Sequence, residues 1–176
     1  MPLSKIVANS ITTNAVGADA LSSSAITSGD LPSDSVLQMV HTSTTAFSTC
    51  TTTSYSDITG MSLSITPSST SSKIFIYAAI NLSVQGTAGA IDLHGACRLL
   101  RDSTEIYKND LRTYEFNGDA VYINVAVPFI FVDAPSTTSS ITYKFQGKEV
   151  SSGITSLDVN AEGTNRSTFI LQEIAG

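Results

Sequence analysis

The most reactive pairing in the sequence is His94-Gly95-Ala96-Cys97, which places an imidazole and a thiol three residues apart. Such groups ligate zinc, or make a nucleophile when the imidazole takes the thiol proton. A structural zinc site needs four ligands and a catalytic one three, and His41 is the only other histidine. In a regular strand Asp92 and His94 share a face and Cys97 does not, so Asp92 could join the other two only through a bulge at Gly95. No oxyanion hole or orienting third residue follows from the spacing. We therefore read His94 as a satisfied core or interface histidine, and Cys50 and Cys97 as small buried hydrophobes. No metal site and no cofactor are expected.

Asp92, Asp102, Glu105, Asp110, Glu115 and Asp119 could supply the paired carboxylates of a glycosidase, whose separation sequence alone does not set. The chain has no Trp and only 7% aromatic residues, so no aromatic platform accompanies them. They read as solvated turn residues, and no catalytic residue is assigned. Gly86, Gly89, Gly95 and Gly118 form no phosphate loop and read as turns or bulges. The stretch from Lys108 to Asp119 differs in kind. It gathers Lys, Arg, acids, Tyr and Phe between two strands of a chain in which charged residues make up 14%. Loops on a rigid sandwich commonly carry binding, and Tyr and Arg suit contact surfaces. Lys108, Arg112, Tyr114 and Phe116 are the candidate receptor contacts, set against an ordinary hairpin connection or a subunit contact.

These residues must be positioned by strands. The chain has 176 residues, with 27 Ser and 22 Thr standing in for the missing charge. Hydroxyls together with β-branched residues favour strands and turns over long helices. Net charge is −6, and no Lys/Arg cluster provides the footprint that a phosphate backbone requires, so nucleic acid is not an expected partner. No apolar run reaches membrane-spanning length and no basic-apolar leader opens the chain, so a soluble protein made in a cytoplasm, without membrane insertion, is expected.

From Lys73, even positions from Ile74 to Val84 line one face. From Val121, odd positions from Val121 to Phe131 do the same, and Tyr122, Ala126, Ile130 and Val132 make the reverse face apolar too, as in a strand covered on both sides. Pro128 within it marks an edge, a bulge or a break. Shorter candidates are Val36 to Val40, Met61 to Ile65, Ile91 to Leu100, Glu105 to Lys108, Ile141 to Gln146, Ile154 to Val159 and Ser167 to Ile174. Turn clusters such as Pro67 to Ser72 and Pro135 to Ser140 separate them. The pattern predicts an all-β fold, an antiparallel β-sandwich of jelly-roll type.

Residues 1–36 follow another rule. Ile6, Ile11, Val16, Leu21, Ile26, Leu31 and Val36 fall five apart without a slip. Five helical steps leave successive apolar residues about 140° apart, and an odd period alternates them between strand faces, so neither regular element fits. Seven pentads give too few coils for a single-chain solenoid. What remains is a flexible low-complexity tail, or a parallel oligomer whose equivalent apolar residues meet in layers around an axis. The chain divides into an extended segment, 1–36, and a head, 37–176.

The pentads Ser10-Ile11-Thr12-Thr13 and Ala25-Ile26-Thr27-Ser28-Gly29-Asp30-Leu31-Pro32 resemble N-terminal segments of tail fibre proteins from tailed bacteriophages. So do Ser35 to Val40, Ile65 to Ile74 and the closing Ser167 to Gly176. The resemblance implies a homotrimer in which the seven five-spaced residues fill the axis, while Pro2, Leu3 and Ile6 dock to other virion proteins of the tail or baseplate. It also implies a β-rich head for host attachment, with a host surface glycan as partner, and a virion location after assembly in the host cytoplasm. The chain departs from that family in having no long shaft. A capsid decoration or head fibre protein is the alternative within the particle, and a polysaccharide-cleaving enzyme the alternative from another class.

Overall fold

The computed structural model describes residues 31–86, 92–114, 121–151 and 153–176. Over them the period-two pattern becomes ten strands: β1 (Val36–Thr44), β2 (Ser48–Cys50), β3 (Ser56–Ile65), β4 (Lys73–Gly86), β5 (Leu93–Arg101), β6 (Thr104–Thr113), β7 (Val121–Asp133), β8 (Ile141–Glu149), β9 (Ile154–Val159) and β10 (Ser167–Ile174). The five antiparallel pairs β1–β10, β2–β9, β3–β8, β4–β7 and β5–β6 have strand numbers that sum to eleven. The described strands therefore nest as one long hairpin whose tip is the turn at Asp102-Ser103, where Arg101 faces Thr104. Asp102 adopts a φ of 53°, a left-handed conformation that a short polar side chain tolerates.

Folding this hairpin over itself produces two sheets, one carrying β1-β10-β4-β9-β2 with β7 on the far side of β4, the other β3-β8-β5-β6. β4 is long enough to take β10 along residues 73–79 and β9 along residues 82–86 on one edge. The fold is an all-β antiparallel sandwich with the wrapped topology of a jelly roll. Wrapping also brings the start of β1 to the end of β10: Asp34 N donates to Ala175 O, and Ala175 N to Ser35 O, both at 2.9 Å.

The core lies between the sheets. The even positions of β4 from Ile74 to Val84 point inward, as the alternation predicts, against Leu93, Cys97 and Leu99 of β5 and Ile141, Tyr143 and Phe145 of β8. Phe129, Phe145 and Phe169 stack edge to face across the middle, with centroids 4.8 and 5.0 Å apart. Burying so many β-branched and aromatic side chains is the main favourable term. Cys50 and Cys97 are free and buried, and burial pushes the Cys97 thiol well above its ordinary value.

Three sequence-based expectations are corrected. The strand read as covered on both sides is β7, and its even-numbered face is open: Tyr122, Ala126, Ile130 and Val132 are exposed, because that face points away from the second sheet and no other described residue lies over it. Gly95, read as a turn or bulge, sits mid-strand in β5, where its missing side chain admits Leu157 from the opposite sheet. Residues 108–113, read as part of a loop, continue β6 in register with β5. The proposed docking residues Pro2, Leu3 and Ile6, the axis residues Ile11, Val16, Leu21 and Ile26, and Gly89, Glu115, Phe116, Gly118 and Asp119 lie outside the described residues. Leu31 and Val36 are described and exposed.

Candidate functional site

Antiparallel pairing sets which side chains emerge together, since directly opposed residues share a face. On β6, Tyr107, Asn109, Leu111 and Thr113 oppose Leu99, Cys97, Gly95 and Leu93, so they face the core. Their neighbours Lys108, Asp110 and Arg112 point to solvent, opposite Arg98, Ala96 and His94. On the other flank of β5, Gln146 and Lys148 of β8 oppose the same Arg98 and Ala96, and Asp57 of β3 opposes Gln146. The outer face of this sheet thus assembles a charged surface from four strands, of which only β5 and β6 are neighbours in sequence.

Arg98 is its hub. Its Nε and Nη2 donate to Gln146 Oε1 at 2.9 and 2.7 Å, its Nη1 donates to Glu105 Oε2 at 3.0 Å, and its guanidinium lies 3.8 Å from the centre of the Tyr55 ring. Lys148 Nζ stands 4.8 Å from the same ring. Gln146 Nε2 donates to Asp57 Oδ1 at 2.6 Å and Lys144 Nζ to Asp57 Oδ2 at 3.0 Å. Those hydrogen bonds, from Gln146 first and then Lys144, hold the Asp57 carboxyl below its usual range. At the far end of the face, Arg112 grips Asp92 with two parallel hydrogen bonds, Nε to Oδ1 at 2.9 Å and Nη2 to Oδ2 at 2.8 Å. This fork pairing lowers the Asp92 pKa and raises that of Arg112. The Arg112 guanidinium lies 5.1 Å from the ring centre of Tyr114, which is itself exposed.

Of the nine basic residues in the chain, five stand on this face: Arg98, Lys108, Arg112, Lys144 and Lys148. Four acids accompany them, Asp57, Asp92, Glu105 and Asp110, so the face is locally balanced toward positive in a chain of net charge −6. Tyr55, Lys148, Gln146 and Asp57 had no signal in the sequence that tied them to Arg98, since only the β3–β8–β5 register brings them together. The alternation of Tyr107 and Leu111 with Lys108 and Arg112 was a strand signal that the cluster of charges concealed.

The candidate chemistry resolves as follows. His94 emerges on the outer face and Cys97 on the inner, so their donor atoms face opposite sides of the sheet. His94, read as a satisfied core or interface histidine, is not satisfied among the described residues: its buried Nε2 lies 3.3 Å from Asp110 Oδ2 without hydrogen-bond geometry and has no other partner there. Asp92, Glu105 and Asp110 are each engaged with a cation, and Asp102 Oδ1 accepts from Thr142 N at 2.9 Å. The arrangement is a polar surface of cations paired with carboxylates, with the exposed Tyr114 ring beside Arg112, suited to holding a partner's hydroxyl and carboxylate groups.

No family model matches the chain, and no curated protein matches it in sequence. Among solved structures it is similar to the VP2 subviral particle protein of infectious bursal disease virus, at a TM-score of 0.38 and 16% identity over 80% of this chain and 40% of that one. The structure of T=1 particles derived from infectious bursal virus gives a TM-score of 0.35 at 11% identity, over 81% of this chain and 38% of the other. Dimeric latent PorU from Porphyromonas gingivalis gives 0.34 at 7% identity, over 85% of this chain and 14% of that. The chain thus spans well under half the length of the proteins it matches. Likenesses of this size, shared by a virus particle protein and PorU alike, add nothing to the architecture already described.

Proposed function

We propose that the chain is a structural and adhesive protein of a virus particle: a short homotrimeric tail fibre docked by its N-terminal segment, with the sandwich as an outward head. The observation that carries the adhesive part is the concentration of five cations and the exposed Tyr114 on one sheet face of an otherwise acidic protein. The virion part rests on the resemblance of the pentads and the chain's closing segment to phage fibre proteins. The partner that suits the face is a host envelope glycan carrying carboxylates and hydroxyls, contacted by Lys108, Arg112 and Tyr114. No reaction is assigned to the protein. Single-head affinity is modest in this reading, because the face is nearly charge-balanced, and attachment depends on several heads engaging at once.

Gold-labelled antibody raised against residues 37–176, viewed on intact particles by electron microscopy, tests the assignment. Label at the tail tip is the expected result. Label on the capsid shell would move the protein to a decoration role, and particles without label would end the virion reading altogether.

A further inference from the structure

We propose that the outer face of the β1-β10-β4-β7 sheet is a self-docking surface, covered in the assembled protein by other copies of this chain. The register of that sheet places Met39, Gln172, Phe75 and Val132 in one rung of its outer face and His41, Ile170, Tyr77 and Ile130 in the next. Met39, Val132 and Ile130 are 54%, 53% and 59% exposed. Ile130 and Val132 adjoin Phe75 and Tyr77 across β4 and Ile170 beyond them, an apolar patch that reaches Met39 past Gln172 and that a protein surface rarely keeps without a partner. The opposite face of the sandwich carries five cations and four carboxylates, so the two outer faces are built for different surroundings.

The composition of the face identifies its occupant. None of its paired positions between β1 and β7 holds a carboxylate, and Lys73 and His41 stand at its margin. A cationic partner finds no counter-charge there, whereas an identical face meets the apolar centre of Phe75, Tyr77, Ile130 and Val132 with matching groups and leaves Lys73, paired with Ile174, beyond that centre. Continuity with the N-terminal repeat supplies the second argument. Val36, the last of the seven five-spaced residues, opposes Ile174 on this same face and is 54% exposed. The repeat needs neighbouring copies to bury its apolar residues, and it runs directly into the patch through a segment fixed to Ala175 by two backbone hydrogen bonds. The neighbours that cover the repeat are therefore delivered to the patch. The proposal rests on the homo-oligomeric reading above for the identity of the occupant, and adds where the heads touch.

The test uses the full chain with a single exposed thiol, since Cys50 and Cys97 are buried. Maleimide labelling rates of Ile130→Cys, with Val132→Cys as a second position, are compared with Ser62→Cys on the outer face of the other sheet, and mass is measured by light scattering. The expected result is an oligomer in which the Ile130→Cys and Val132→Cys thiols react roughly ten-fold or more slower than that of Ser62→Cys, as for a site covered about nine-tenths of the time. Comparable rates in an oligomer, fast or slow, overturn the proposal while leaving an N-terminal trimer intact. A monomer with a slow Ile130→Cys thiol shows the chain's own N-terminal segment on the face and overturns it also. A monomer with fast thiols throughout removes both this proposal and the trimer.

Discussion

Tyr143 Oη donates a 2.6 Å hydrogen bond to Asp133 Oδ2, tying β8 of one sheet to β7 of the other. Arg101 Nη1 completes the cluster, 2.9 and 3.0 Å from the two oxygens of the same carboxylate. Burial first, and then the bond to Asp133, push the Tyr143 hydroxyl far above its ordinary value, so it stays a donor at any physiological pH. The cluster closes one end of the sandwich by polar contacts where the core runs out.

Tyr143→Phe keeps the ring packing and removes the donor from a nearly buried carboxylate. It should lower the unfolding free energy by about 1–3 kcal/mol, the usual range for a hydrogen bond to a charged group. Urea titration of both proteins measures this, and an unchanged midpoint would show that Arg101 alone satisfies Asp133.

Glu173 is buried, and its carboxylate accepts from Ser68 N, Ser68 Oγ, Ser72 Oγ and Gln38 Nε2 at 2.6 to 2.7 Å. Burial alone would raise its pKa, but the hydrogen bonds from Gln38, Ser68 and Ser72 together outweigh it and hold the group below the ordinary glutamate value. A folded-state pKa that is depressed contributes stability present above the unfolded value, about 4.3, and lost as pH falls through the folded one. Unfolding free energy should therefore drop as pH falls from about 4.3 through the lower folded-state pKa, and Glu173→Gln should be less stable at pH 7 by about 1–3 kcal/mol with a shallower acid slope. Parallel pH curves for the two proteins would falsify this role.

How much of this was legible in sequence depends on whether a feature is local. The inward row of β4 from Ile74 to Val84 could be read directly, because period two over so many residues admits one burial pattern. The five-residue period was equally plain, yet a period alone does not say whether its partners lie in other chains. On β7, Ile130 and Val132 announced an apolar second face but not what covers it: a second layer of the same chain and a neighbouring copy leave the same sequence pattern. The charged face was half visible, since Lys108, Arg112 and Tyr114 sit close together in sequence. Tyr55, Gln146 and Lys148 reach Arg98 only through strand pairings that span dozens of residues.

Recognition should fail locally if the charged face carries it. Arg112→Ala combined with Tyr114→Ala removes one cation and the exposed ring from the end of that face without entering the core. Adsorption of particles to host cells should fall several-fold, while particle yield and the mass of the purified protein stay as in the wild type. Normal adsorption would relocate the contact away from this end of the face, and lost assembly would make it an interface.

The pentad repeat makes a separate demand. If Ile11 and its equivalents meet on an axis, Ile11→Asp gathers like carboxylates where apolar side chains should pack, and both desolvation and repulsion oppose assembly. Light scattering at micromolar concentration should show the wild type as a trimer and the variant shifted toward smaller species or loosened at its N-terminus, with faster proteolysis ahead of Val36. Identical mass and digestion pattern would return the segment to a flexible tail.

The sandwich depends on close approach at Gly95. A methyl group added there would lie 2.7 Å from Leu157 Cδ1, with the rest of that fully buried side chain within 3.3 Å. The Leu157 side chain also lies 3.2 Å from where a methyl on Gly147 would stand, so it fills space left by two glycines on the opposite sheet. Gly95→Ala should therefore cost about 1–3 kcal/mol by overpacking, and Leu157→Ala alone about 2–5 kcal/mol by leaving a cavity. Combined, the added methyl partly fills the space that the leucine vacates, so the double variant should be more stable than the sum of the single losses by about 0.5 kcal/mol or more. Additive losses in denaturant titrations would mean that the two sheets shift to absorb the methyl, and that the glycine serves the strand rather than the leucine.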